Sequence, residues 1–258
     1  MSVLIVLPGG SLDRAQQYAQ TYGFSLADPT LLAQPGFHLC LDGQGLLLRS
    51  GAQAKADVRV DFSHGRAAHR RRFGGGQGQD IAKAIGVGKY KPSVIDATAG
   101  LGRDSFVLAS LGCQVWAFER QASVAALLAD GLARAQHDDD IADIIARIDL
   151  QYGASQQGLS DASAWPVKAD VVYLDPMFEH DDKATALVKK DMQAFRHVVG
   201  QDDDAEQLLP LALAAARCRV VVKRARKAEP LAGQAPTYAI VGKANRFDVY
   251  VLAKVAPL

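Results

Sequence analysis

The sequence predicts an α/β protein: a largely parallel sheet closed by a C-terminal antiparallel hairpin and preceded by a small N-terminal α+β unit. Three observations carry that reading. After Pro92, short apolar runs alternate with helical stretches, the pattern of strands joined by crossover helices. The first of these runs opens into a glycine-bearing turn, Asp96-Ala97-Thr98-Ala99-Gly100-Leu101-Gly102, and about 20 residues further on the second ends in the acid Glu119. Composition also breaks abruptly at His64, where basic and then glycine-rich residues replace strand-like ones.

In order along the chain, Val3 to Leu7 is strand-like, and Ser11 caps a helix that runs to about Tyr22 before Gly23 stops it. Phe37–Leu41 and Leu46–Arg49, bridged by Asp42-Gly43-Gln44-Gly45, form a hairpin, and Val58–Phe62 supplies another strand. Residues 1–63 thus make the small unit, 64–91 a basic and glycine-rich connecting segment, and 92–258 the main domain. In that domain strands are expected at Val94-Ile95, Val115–Phe118, Ile148–Tyr152 and Val171–Leu174, with helices at Arg103–Leu111, Ser123–Gln136 and Gln156–Ala164. Thr185–Val199 and Ala205–Arg217 read as two more helices, the second entered through Asp202-Asp203-Asp204, acids that suit a helix N-terminus. Arg219–Val222 is a strand. Tyr238–Val241 and Phe247–Leu252 close the sheet as a hairpin around Gly242-Lys243-Ala244-Asn245.

Bulk properties exclude several classes. With 258 residues and 49% apolar content, the chain can bury an ordinary core, so disorder is not expected. A net charge of +1 means that any nucleic-acid footprint must come from clustered charge. Cys40, Cys113 and Cys218 lie far apart without a Cys-x-x-Cys pair, which argues against a disulfide framework or structural zinc and for a reducing compartment. Met1 to Leu7 has no basic leader, and no segment approaches the roughly 20 apolar residues that span a bilayer. A cytoplasmic protein without membrane attachment is expected. His64, His69 and His180 lack carboxylate partners at ligand spacing, so no metal site is expected either. No serine elbow or Cys-His signature supports hydrolase chemistry.

The glycine turn implies a nucleotide-like ligand, with Glu119 placed to accept from ribose hydroxyls. A dinucleotide fingerprint wants a third glycine where Ser105 stands, and Arg103-Asp104 follow Gly102 immediately, so pyrophosphate is disfavoured. S-adenosyl-L-methionine carries a sulfonium and no phosphate, and Asp96, Asp104 and Asp175 can help balance that cation. At the end of the third strand, Gly153-Ala154-Ser155 are small residues suited to an adenine edge.

Asp175-Pro176-Met177-Phe178 follows the buried-strand run Val171–Leu174, delivering an acid, a proline carbonyl and an aromatic together. That set suits an exocyclic nucleobase amine, whose lone pair is delocalised into its ring. Asp175 and the Pro176 carbonyl accept its hydrogens, and Phe178 stacks on the base. A base stacked and paired in a duplex cannot bring its amine into such a pocket, so the target base is expected to be unpaired or swung out. Arg70, Arg71 and Arg72, then Lys189 and Lys190, then Lys223 and Arg224 are candidate phosphate contacts.

These motifs resemble those of the bacterial small-subunit ribosomal RNA guanine-N2 methyltransferases, the RsmJ family. The likeness spans nearly the whole chain and is densest at His69–Gly76, Asp96–Asp104, Tyr173–Phe178 and Ala186–Lys190. It implies a class I Rossmann-like methyltransferase that uses S-adenosyl-L-methionine to methylate a guanine N2 amine in 16S ribosomal RNA, with small-subunit RNA or the small ribosomal subunit as partner. It also implies cofactor contacts at Arg103-Asp104, Glu119-Arg120, Ala154-Ser155 and Asp175. The family pattern has a serine where Ala154 stands, so a contact there runs through backbone. Competing readings are another nucleobase amino methyltransferase acting on DNA or RNA, and a noncatalytic RNA-binding assembly factor. A dehydrogenase is disfavoured by Ser105 and by the missing hydride-transfer residues.

Overall fold

A computed structural model describes residues 3–51, 57–64, 78–160, 169–176, 205–243 and 245–256. Two sheets organise them. The smaller holds β1 (Val3–Val6), β2 (Ser25–Ala27), β3 (Phe37–Asp42) and β4 (Gly45–Ser50) in the order β2-β1-β3-β4. Here β1 runs parallel to β2 and β3, while β3 and β4 form the expected hairpin. Helix α1 (Leu12–Tyr22) starts where the Ser11 hydroxyl accepts the Arg14 amide at 3.3 Å and stops at Gly23, whose φ of 72° no side chain adopts easily. The short strand β2 and the 3-10 turn Pro29–Ala33 were not legible in the sequence, since neither shows an apolar period.

Val58–Phe62 departs from the expected strand. Only Val58 pairs, through a single antiparallel bridge to Leu48. Beyond it the backbone turns towards the main domain, where the Val60 carbonyl accepts from Arg134 at 2.5 Å. Val58, Val60 and Phe62 still point into the core, which is why the segment reads as a strand.

The larger sheet contains β5 (Val94–Asp96), β6 (Val115–Glu119), β7 (Ile148–Tyr152), β8 (Val171–Leu174), β9 (Arg219–Ala225), β10 (Tyr238–Val241) and β11 (Asn245–Val251). Their order is β10-β11-β9-β8-β5-β6-β7; the five strands from β5 to β9 are parallel, and β11 is antiparallel to both β9 and β10. Counted from β5, this is third, second, first, fourth, fifth, seventh, sixth, the Rossmann-like arrangement of class I methyltransferases. Val171 to Leu174 are fully buried, as a central parallel strand covered on both faces must be.

One face is covered by α2 (Asp80–Ile85), α3 (Arg103–Ser110), α4 (Ala122–Ala135) and α5 (Ala142–Ile145), whose apolar residues join one core; the other by α6 (Ser155–Ser160) and α7 (Ala205–Ala215). Helix α2 lies inside what the sequence presents as a connecting segment, and its Ile81, Ala82, Ala84 and Ile85 are buried near β9, β10 and β11. Six residues are too few for a helical period to stand out beside the glycines that flank them. The third crossover helix is described over Ser155–Ser160 alone, and the expected helix Thr185–Val199 lies outside the described residues.

The two sheets share a core. Leu4, Leu46 and Leu48 of the small sheet cluster with Leu128 and Leu132 of α4. Between them sits Asp130, its side chain wholly buried, accepting from Arg14 at 2.7 Å, Tyr18 at 2.9 Å and Arg134 at 2.8 Å. Gly131 next to it lets α4 approach closely, because a Cβ there would stand 2.4 Å from the Val60 side chain.

Candidate active site

Sheet order reverses between β5 and β8, and ligands of open α/β sheets bind in the crevice at the carboxyl ends of strands at such a point. Asp96, the last residue of β5, is 1% exposed there. Its carboxylate accepts from the Ser105 hydroxyl at 2.5 Å and from the Thr98 amide at 3.2 Å. Burial pushes its pKa up to about 7 despite those two hydrogen bonds, and the neighbouring Asp104 and Asp175 charges push the same way. Ser105, where a dinucleotide site would carry glycine, thus serves to hold the first acid of the turn.

The glycine turn needs its glycines. Gly100 and Gly102 have φ of 55° and 71°, and a Cβ on Gly102 would meet Leu128 at 2.5 Å. The Gly100 amide donates to Glu119 at 3.0 Å, and the Gln121 amide donates to its other oxygen at 2.6 Å. Glu119 therefore ties the loops after β5 and β6 together. Two bonded amides leave a carboxylate with capacity for hydroxyl donors.

Across the switch point stands an acidic corner with Lys223 at its centre. The Tyr173 hydroxyl donates to Asp104 at 2.8 Å. Lys223 of β9 donates to the same Asp104 oxygen at 2.8 Å and to Asp175 at 2.7 Å. The Asp175 amide in turn donates to the Thr98 hydroxyl oxygen at 2.6 Å, which links the acid after β8 to the glycine turn after β5. Burial disfavours charge on Lys223, but Asp104 and Asp175 outweigh it and raise the lysine pKa, so the ammonium persists. Burial disfavours charge on Tyr173 too, which for a phenol raises the pKa, and the adjacent Asp104 charge adds to it.

The fold thus gathers Asp96, Gly100, Gly102, Asp104, Glu119 and Asp175 at one edge of the sheet, with Arg103 opening α3 and Arg120 following β6. Ala154-Ser155 enter α6 just beyond Gly153, whose amide donates to the Glu119 carbonyl at 3.0 Å. Pro176 is buried beside Asp175. Phe178, Arg70, Arg71, Arg72, Lys189 and Lys190 lie outside the described residues. The other two expected phosphate contacts, Lys223 and Arg224, are among the described residues. Lys223 sits between two carboxylates, and Arg224, 8% exposed, donates twice to the Glu229 carbonyl at 3.0 and 2.6 Å. Adjacent strand residues point to opposite faces, which sends these two side chains to different neighbours. Thr98 and Tyr173 belong to this corner without having been singled out in the sequence, where Lys223 read as a phosphate contact; the signal for its place here was a lysine following the buried run Val220-Val221-Val222. Among the described residues no group of His, Cys, Asp or Glu is arranged to hold a metal, and no helix is long and apolar enough to cross a membrane.

Comparison with known proteins fits this geometry. A family described as putative SAM-dependent methyltransferase matches residues 24–252. A protein of Pseudomonas aeruginosa named Ribosomal RNA small subunit methyltransferase J is 51% identical over 247 residues, covering 95% of this chain and 92% of that protein. The chain belongs to the small-subunit methyltransferase J family. A second member, from Pseudomonas syringae pv. syringae, is 51% identical over 96% of this chain and 90% of its own length. The crystal structure of a SAM-dependent methyltransferase from Neisseria gonorrhoeae superposes with a TM-score of 0.77 at 39% identity, covering 97% of this chain and 96% of that one. The cofactor of a SAM-dependent family suits the residues present: positive-φ glycines in the first turn, a carboxylate ending the second strand, and acids that complement a sulfonium rather than a phosphate.

Proposed function

We propose that this chain methylates the exocyclic N2 amine of a guanine in 16S ribosomal RNA, as naked RNA or within the small ribosomal subunit, in the cytoplasm. The observation that carries the reading is Asp175 joined through Thr98 to the glycine turn, which sets an amine acceptor beside a nucleotide-binding turn. The printed name of the Pseudomonas relatives supports the RNA class.

Asp96, Gly100, Gly102, Arg103, Asp104, Glu119, Arg120, Ala154 and Ser155 would hold S-adenosyl-L-methionine, which when bound supplies an electrophilic methyl group. Asp175 and the Pro176 carbonyl accept the hydrogens of the guanine amine and aim its nitrogen along the line of displacement, while Phe178 stacks on the base. The nitrogen-to-methyl bond would form as the methyl-to-sulfur bond of the bound donor breaks, the neutral thioether S-adenosyl-L-homocysteine would leave, and the amine would release one proton to solvent water. Positioning of this kind supplies much of a bimolecular barrier reduction. Arg70, Arg71, Arg72, Lys189 and Lys190 supply the phosphate contacts that orient the RNA.

The test is methyl transfer from labelled cofactor to small-subunit particles and to naked RNA, with the modified nucleoside identified by mass spectrometry. Labelled N2-methylguanosine, lost in a folded Asp175→Ala variant, is expected. Label on adenine or cytosine, or a folded Asp175→Ala variant with near-normal turnover, sinks the reading.

A further inference from the structure

Lys223 is a costly residue to have where it is. Its side chain is 25% exposed, inside a strand whose Val220, Val221 and Val222 are fully buried. Register explains its place. Val222 pairs with Leu174, so Lys223 falls level with Asp175, and strand alternation puts it on the same face as Val221, the partner of Tyr173. That face meets the first turn of α3, which brings Asp104 to the same ammonium.

Two other roles for this lysine fail on chemistry. An ammonium stabilised by two carboxylates is not a proton acceptor for the amine. Nor is it a phosphate anchor, because Lys223 with Asp104 and Asp175 carries a net charge of −1, one cation against two anions. What the geometry does provide is a clamp. The charged or titratable groups near Asp175 include Lys223 from β9, Asp104 from α3, Asp96 from β5 and Tyr173 from β8. With Asp175 itself, three carboxylates share this corner; their mutual repulsion favours protonating one of them, and the Lys223 ammonium opposes it.

We infer that Lys223 is a positioning residue for methyl transfer: its ammonium, bonded to both Asp104 and Asp175, fixes the orientation and the ionised state of the carboxylate that receives the amine. The inference rests on the amine-acceptor reading of Asp175. It assigns this lysine to the reaction centre rather than to the RNA surface.

The experiment compares Lys223→Met, which keeps the stem and removes the charge, with Lys223→Arg, which keeps the charge. The readouts are kcat and KM for RNA across pH, cofactor affinity by calorimetry, and thermal melting. In the methionine variant kcat at neutral pH is expected to fall about tenfold or more. Its acidic limb should move up by about 1 pH unit, the scale of losing an adjacent opposite charge, so that activity partly returns as pH rises. The arginine variant should retain the wild-type profile. An unshifted profile in a folded methionine variant overturns the inference, as does a pH-independent loss shared by both variants. Should the methionine variant fail to fold, Lys223→Gln carries the same readout. Asp175→Asn, measured in parallel, separates the two ideas: full activity there removes the acceptor reading itself, whereas an inactive Asp175→Asn beside an unshifted Lys223→Met removes only the role of Lys223.

Discussion

Thr98 accepts the amide of Asp175 at 2.6 Å, across 77 residues of sequence. Its own amide donates to Asp96, so one residue joins the acid of the glycine turn to the acid of the amine-binding segment. Thr98→Val keeps the shape and deletes the acceptor. Leaving a partly buried amide without its partner costs about 1–3 kcal/mol. If the strain falls on the position of Asp175, kcat should drop about tenfold while cofactor affinity changes little, and Thr98→Ser should restore it. Single-turnover rates and calorimetry on the three proteins decide this. Equal rates in Thr98→Val would show that the bond does not position the acid.

Asp96 makes stability depend on pH in an uncommon direction. Its native pKa of about 7 lies above the ordinary 3.8, because burial disfavours the charge. Between those values the unfolded chain releases the proton and the native state keeps it, so stability falls as pH rises from about 4 to about 7 and then levels off. The effect is on the order of 4 kcal/mol. Asp96→Asn removes the titration. Melting temperatures from pH 5 to pH 8 should therefore decline more steeply in the wild type than in Asp96→Asn, and parallel curves would contradict the buried, protonated acid.

Asp130 should be the most sensitive single position joining the two sheets. Its buried carboxylate receives three donors, and removing it leaves Arg14, Tyr18 and Arg134 without their shared acceptor. Breaking such a set by deleting one partner costs about 3–5 kcal/mol. Urea unfolding of Asp130→Ala should show a loss of that order, against about 1 kcal/mol for Tyr18→Phe. A loss below that of Tyr18→Phe would mean that apolar packing alone holds the small sheet.

The RNA reading has its own signature. Each phosphate neutralised by a basic side chain adds about 0.7 to 0.9 to the slope of log affinity against log salt. Replacing Arg70, Arg71 and Arg72 together by Ala should weaken RNA binding and flatten that slope by up to about 2 to 3. Methylation of a saturating substrate should fall less than binding does. An unchanged slope removes this segment from the RNA surface.

Much of the architecture was readable because its rules are local. Strands β5, β6, β8 and β9 announce themselves by apolar runs and β7 by alternation, Ser11 and Gly23 bound α1 by capping and left-handed geometry, and Gly100 and Gly102 stand where backbone must turn with positive φ. The segment Val58–Phe62 shows the limit of the same reasoning: its inward side chains are periodic, yet pairing depends on where the neighbouring backbone goes. Helix α2 was hidden among glycines, since its burial is set by strands more than 130 residues away.

Sequence alone determined the class of chemistry, through a glycine turn, an acid ending the second strand and an Asp-Pro step after the fourth, because each is a short motif whose function follows from backbone conformation. Tertiary structure decided which charges answer one another. Lys223 and Arg224 are neighbours in the chain, yet one stands between Asp104 and Asp175, 119 and 48 residues away, while the other braces a turn at Glu229. Strand order and register set those distances, and the energy of a charge depends on its neighbours in space and on its burial, which no run of residues states.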